Sequence, residues 1–236
     1  MKRDPALILQ HGDWGPPGLL AEWLDARGIP YDVHRTYVGE PMPDLAGYAF
    51  VASLGSNRNP NDTDDPAVAA ELVLLARAIE LDVPVLGLCF GGQALAAALG
   101  GAVERAPVPE LGWIAIESDE PGLVPAGPWL EWHYDRFTTP PGAIEIARTG
   151  AATQAFRHGR HLGVQFHPES TPEIVALWAA ADAERLQALG HGDGGALFAA
   201  TPERREAARA AAFALFDGFL ETANDPDALA AGARRG

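Results

Sequence analysis

Two hydrophobic periods alternate along the first hundred residues. The runs "ALILQ" (6–10), "YAFVAS" (48–53) and "VPVLGL" (83–88) are short, apolar and bounded by turn residues, and "YDVHR" (31–35) is short and likewise bounded; the four predict strands. Between them lie longer stretches with apolar positions three and four apart. "GLLAEWLDARG" predicts a helix stopped by Gly28, and a second helix is predicted from about Pro66 to Leu81, with proline in its first turn. "GQALAAALGG" predicts a third, ended by its glycines. The polar, turn-rich "LGSNRNPNDTDD" (54–65) reads as a loop. Strand and helix in alternation predict a parallel sheet with helices on both faces.

From Leu111 the pattern changes. "GWIAIES", "AIEIART", "TQAFRHG" and "HLGVQF" are short strand patterns with little helix between them, and they predict a more antiparallel half of the same sheet. Helical periodicity returns at about Pro172–Leu189 and, after "GHGDGG", at about Pro202–Ala223. Phe213, Phe216, Phe219 and Leu220 form one stripe of that last helix, which is expected to pack on its own domain. The predicted organisation is an α/β domain over residues 1–190 with a helical C-terminal extension over 191–236 packed on it.

Charge narrows the partners. With 17 Lys and Arg against 32 Asp and Glu, the net charge is −15, which argues against a nucleic-acid binder. A small-molecule substrate or a basic protein partner fits better. A single cysteine forms no internal disulfide. The apolar run near the N-terminus is interrupted by Gln10 and His11, too soon for a signal peptide or a membrane span, so a cytoplasmic protein is expected.

That cysteine is the candidate for chemistry. In "GLCFG" (87–91), Cys89 stands at the end of an apolar strand, before a helix, with glycines two positions to either side. This is the form of a nucleophile elbow, whose glycines permit the tight turn that presents the side chain. The helix N-terminus that follows supplies N–H groups and a positive partial charge, which lower a thiol pKa and suit an oxyanion. The competing reading is a buried structural cysteine. A nucleophile needs a base, and the base an orienting acid. "GVQFHPES" (163–170) places His167 and Glu169 at the end of another apolar strand. Residues two apart in extended chain share a face, and Pro168 between them ends the ladder.

"GLCFGGQ" and "QFHPE" together resemble the two signatures of class I glutamine amidotransferase domains, the Cys-His-Glu triad family, of the stand-alone kind similar to the glutaminase domain of GMP synthase. The resemblance covers about Ala6 to Ala180. An α/β-hydrolase also uses an elbow, but its acid comes well before its histidine, whereas Glu169 follows His167. The resemblance implies a flavodoxin-like class I glutaminase architecture, with a mostly parallel central sheet. It implies Cys89 as nucleophile on the glutamine side-chain amide, His167 as base, and Glu169 as the acid that orients it. It implies an oxyanion hole from the N–H of Phe90 and from Gly55. Gly55 matches the second glycine of the family's Gly-Gly-Pro loop, although Leu54 and Ser56 replace its neighbours. Gln93 is implied to hold the amino-acid end of the substrate.

"EWHYDRFTTPPGA" (131–143) is similar to the family's Ser-His-x-Asp substrate segment; His133 and Asp135 match, Trp132 replaces the serine, and Tyr134 takes the variable place. The four are therefore the implied substrate contacts. The implied ligand is glutamine or another γ-glutamyl compound. No nucleotide-binding loop is visible, so the ammonia acceptor is expected to be a separate synthetase subunit. The alternatives are a stand-alone γ-glutamyl amide or peptide hydrolase, and a non-catalytic binding or regulatory subunit. The departures at Leu54, Ser56 and Trp132 lead to an expectation of slow turnover of free glutamine. No cofactor or metal is implied: "HGRH" (158–161) reads as a hairpin turn, and "GHGDGG" lacks the lysine of a phosphate loop.

Overall fold

A computed structural model describes residues 4–200 and 202–225. The last eleven residues of the expected C-terminal extension lie outside the described residues. Eight strands form one sheet, in the order β2-β1-β3-β4-β10-β9-β8-β6. The parallel part consists of β1 (Ala6–Gln10), β2 (Tyr31–Arg35), β3 (Phe50–Ser53), β4 (Val85–Leu88) and β10 (His161–Val164). β9 (Thr153–His158), β8 (Ile144–Arg148) and β6 (Glu117–Ser118) continue it antiparallel.

Side chains of β1 alternate between two cores, as a strand covered on both faces requires. Ala6 and Ile8 join the cluster under α1 (Gly18–Arg27), with Leu20, Trp23 and Leu24. Leu7 and Leu9 join the opposite cluster, with Leu75 and Ala78 of α2 (Pro66–Glu80) and Ala94 and Leu95 of α3 (Phe90–Ala98). Gly28 takes the left-handed conformation (φ 62°) and ends α1. Asp65 caps α2 by accepting from the Ala67 N–H at 2.8 Å.

The antiparallel half differs from the sequence expectation in two respects. "HLGVQF", expected in it, forms β10, which pairs parallel with β4 and antiparallel with β9. "GWIAI" lies mostly in β5 (Val103–Ile114), which pairs with β7 (Trp129–Phe137) in a separate two-stranded sheet. β5 carries Pro107 and Pro109, which have no N–H for a ladder, and its register breaks between Arg105 and Glu110. A strand interrupted in this way leaves the main sheet and forms a ribbon beside it. The helix expected over Pro172–Leu189 is also divided, into α4 (Pro172–Ala181) and α5 (Ala183–Ala188), at Asp182. After α6 (Gly195–Phe198), α7 (Pro202–Asn224) packs on α1, with Phe216 and Phe219 fully buried against Trp23 and Phe50.

Candidate active site

The site is assembled at the carboxyl ends of β3, β4 and β10, where open α/β sheets place ligands. Cys89 follows β4 with φ 52° and ψ −105°, a conformation rarely adopted by residues with a side chain, held by its own N–H donating to Val164 O at 2.9 Å. The elbow depends on missing side chains. A Cβ on Gly91 would lie 2.1 Å from Ser53 O, one on Gly87 2.4 Å from Gly91 O, and one on Gly92 2.5 Å from Val164 O. Glycine at these positions lets α3 start directly against β3 and β10.

His167 and Glu169 follow β10. His167 Nδ1 donates to Glu169 Oε1 at 2.8 Å, and both side chains are buried. Burial alone would lower the His167 pKa. The negative charges of Cys89 and Glu169 beside the ring outweigh it, and the imidazolium persists well above the usual histidine range. Gln165 Nε2 donates to Cys89 Sγ at 3.7 Å, and the Trp132 carbonyl lies 4.0 Å from the sulfur. Gly55, after β3, sits against the same histidine: a Cβ there would come within 2.8 Å of His167 Cε1. Phe90 opens α3, so its amide is among the N–H groups that have no partner within the helix.

The implied substrate segment begins within β7, which runs to Phe137. His133 is buried at 2 % exposure, and both ring nitrogens are engaged, Nδ1 with Asp135 O at 3.0 Å and Nε2 with Glu110 Oε2 at 3.1 Å. Burial opposes its charge, but Glu110 and Glu131 prevail and hold its pKa at about 10. The ring therefore has no donor left for a ligand. Gln93 Nε2 donates to the same Asp135 carbonyl at 3.0 Å and to Gln165 Oε1 at 3.3 Å. The Asp135 carboxylate accepts from Asn59 Nδ2 at 3.1 Å and from Arg105 at 3.4 Å.

Several cleft residues had no signal in the sequence. Asp182, at the α4–α5 break, accepts from Trp132 Nε1 at 3.1 Å and from Tyr134 Oη at 2.6 Å. Trp132 stacks on Phe198 of α6 at 4.0 Å, and Trp178 of α4 packs on the His167 ring at 4.5 Å. The guanidinium groups of Arg105 and Arg185 both lie over the Tyr134 ring, at 5.2 and 4.4 Å. Their spacing along the chain follows no single periodicity, because the strand ribbon and the broken helix bring them together. The resulting cleft, of about 470 Å³, holds Cys89, Gln93 and His167 together with Gly55, Trp132 and Arg185. Among the described residues no cluster of His, Cys, Asp and Glu is arranged to hold a metal ion, and no helix is long and apolar enough to cross a membrane.

The model of the glutamine amidotransferase class-I family matches residues 58–175, half of the chain, including Cys89, His167 and Glu169. This chain belongs to the class I glutamine amidotransferase family. It is 37% identical to the GMP synthase [glutamine-hydrolyzing] of Aeropyrum pernix in an alignment 141 residues long that covers 56% of this chain and 26% of that protein. The chain thus corresponds to about a quarter of that relative's length. It is 29% identical to a putative glutamine amidotransferase-like protein, YfeJ, of Salmonella typhimurium, over 70% of this chain and 75% of that one. A glutamine amido transferase from Methylobacillus flagellatus has the same fold, with a TM-score of 0.85, 27% identity, and coverage of 93% of this chain and 95% of that chain. Family membership and the fold agree with the reading of the two signatures. The elbow and the His-Pro-Glu strand end are thereby features of a cysteine-dependent amidohydrolase family.

Proposed function

We propose that the protein hydrolyses the side-chain amide of glutamine and passes the ammonia to a separate acceptor enzyme. The observation that supports this most directly is the placement of Cys89 on a glycine-walled elbow beside the buried His167–Glu169 pair. In this reading the Cys89 thiolate attacks the amide carbon. The tetrahedral oxyanion is met by the N–H groups of Gly55 and Phe90. His167 gives its proton to the leaving nitrogen, so that ammonia departs and a glutamyl thioester remains on the sulfur. Water, deprotonated by His167, then attacks the thioester, releasing glutamate and restoring the thiolate–imidazolium pair. Glu169 holds the ring and its charge throughout. Gln93 and Asp135 line the cleft where the amino-acid end of the substrate is expected, and Trp132 and Tyr134 line it as well. The GMP synthase relatives suggest a synthetase as the acceptor.

A diazo-ketone analogue of glutamine tests the assignment. Its mass is expected on the peptide containing Cys89, with stoichiometric loss of glutamine hydrolysis. Labelling elsewhere, or full activity after labelling, would exclude the mechanism. A second reading, hydrolysis of larger γ-glutamyl amides, is favoured by the arginines at the cleft, Arg58, Arg105 and Arg185. A kcat/KM on a γ-glutamyl amino acid above that on glutamine would establish it.

A further inference from the structure

A second histidine–carboxylate pair lies behind Gly55, which lines the same cleft, and has no part in the triad. His11 follows β1, Glu71 lies in α2, and Ser53 ends β3; their exposures are 4 %, 1 % and 0 %. Three contacts connect them in series to Gly55. Ser53 Oγ donates to Glu71 Oε1 at 2.6 Å, Glu71 Oε2 meets His11 Nε2 at 2.7 Å, and His11 Nδ1 meets the Gly55 carbonyl at 3.1 Å. A carbonyl only accepts, so Nδ1 carries a proton. The proton between Nε2 and Glu71 can rest on either atom without disturbing that assignment. A buried carboxylate on the apolar side of a helix is costly unless it is satisfied, and here both its oxygens are. The His11 ring also packs edge-on against Phe90, with centroids 4.8 Å apart.

We propose that His11, backed by Glu71 and Ser53, is the positioning group of the oxyanion hole. The inference rests on the assignment of Gly55 and Phe90 as its donors. The peptide that precedes Gly55 is held because Leu54 O accepts from the Gly91 N–H at 3.1 Å. The peptide that follows it is held by His11. The Gly55 N–H lies in the first of these peptides, and the torsions of a glycine join it loosely to the second; with the His11 anchor released, the Leu54–Gly91 contact alone is left to hold that N–H toward the reacting carbonyl. Glu71 holds the other ring nitrogen and so fixes the plane of the His11 ring against the Gly55 carbonyl. The replacement of the family's residues by Leu54 and Ser56 on either side of Gly55 is in this way compensated from β1 and α2.

The test compares hydrolysis with alkylation. Iodoacetamide reacts with the Cys89 thiolate by displacement and forms no oxyanion, so its rate reports the thiolate–imidazolium pair alone. His11→Phe keeps the ring contact and removes both hydrogen bonds; kcat on glutamine is expected to fall about a hundredfold, the loss typical of one oxyanion donor, with KM changed less than about threefold. Alkylation of Cys89 is expected to keep its wild-type rate. His11→Asn restores a donor near the Nδ1 position and should recover about tenfold of the loss. Glu71→Gln still accepts from Ser53 and donates to Nε2, so it should lose less than about tenfold, whereas Glu71→Leu should fall with His11→Phe. If His11→Phe does not fold, His11→Asn and the two Glu71 variants carry the comparison. Wild-type kcat in His11→Phe and Glu71→Leu, or alkylation falling in step with kcat, overturns the proposal. Undiminished glutamine hydrolysis in Cys89→Ala would instead overturn the triad reading on which it stands, and is measured separately.

Discussion

At the scale of single residues, the groups proposed to react are distinguishable by what each loses when altered. Cys89→Ser is expected to lose several powers of ten in kcat, as nucleophile deletions do, and His167→Ala about as much. Glu169→Gln should be milder, because the glutamine still accepts from Nδ1 and only the charge is lost. Steady-state rates on variants with matching circular dichroism test this order; Glu169→Gln below His167→Ala would reverse the roles. His133 leads to a pH prediction. Its folded pKa, about 10, lies above the unfolded value near 6.5, so the folded state binds the proton more tightly. That contribution to stability is complete below pH about 6.5 and is lost as pH rises toward 10. Urea midpoints should fall across that window, and His133→Gln should flatten the fall; an unchanged slope in the variant would show that another group is responsible. The proposed triad could be picked out in the sequence because each member sits at a strand end, beside residues that mark the turn. His11 and Glu71 were not assigned, since neither lies in a signature and their contact spans sixty residues.

Elements explain both what could be anticipated and what could not. β1, β3, β4 and their helices were legible because each of these buried strands is a short apolar run bounded by turns, and each helix has a proline, cap or glycine at an end. The β5–β7 ribbon was not, because strand periodicity does not say which sheet a strand joins. Glycine substitutions separate local cost from site geometry. Gly28→Ala meets open space and only the left-handed backbone of α1's end, which costs about 1–2 kcal/mol and leaves kcat unchanged. Gly91→Ala puts a methyl on Ser53 O, so α3 must move away from β3 with Cys89 at its start. A displacement of about 1 Å is enough for a hundredfold loss, and kcat should fall by at least that much. Equal kinetics for the two variants would mean that the elbow tolerates the shift. The α4–α5 break belongs to the same scale. Asp182→Ala frees Trp132 and Tyr134 together and should raise KM for glutamine about tenfold, the worth of one hydrogen bond to a charged group, with Asp182→Asn intermediate. A KM within twofold of wild type would detach the Asp182 contacts from substrate binding.

For the whole molecule the central question is whether the site is complete without a partner. The sequence, with Leu54 and Ser56 in place of the family's residues and Trp132 in the substrate segment, led to an expectation of slow turnover of free glutamine. The packing removes much of that ground. Leu54 N–H donates to Leu9 O at 3.1 Å, Leu54 O accepts from Gly91, and Gly55 O accepts from His11. The loop is thus tied to β1, to α3 and, through Glu71, to α2, all of which belong to the chain's own two cores. Trp132 is likewise held by Asp182 and Phe198 from within the same chain. An oxyanion hole that is already organised gains little from a docking event. The isolated protein should therefore hydrolyse free glutamine, and addition of a synthetase should raise kcat by less than about tenfold. What a partner would change is association. With a net charge of −15, docking on a basic synthetase surface should be fast at low ionic strength and slow steeply as salt is added. Glutamate release measured with and without the synthetase, at two salt concentrations, separates these terms. Activation of a hundredfold or more, with a silent isolated chain, would mean that the tethers around Gly55 hold an idle arrangement that the partner must rearrange.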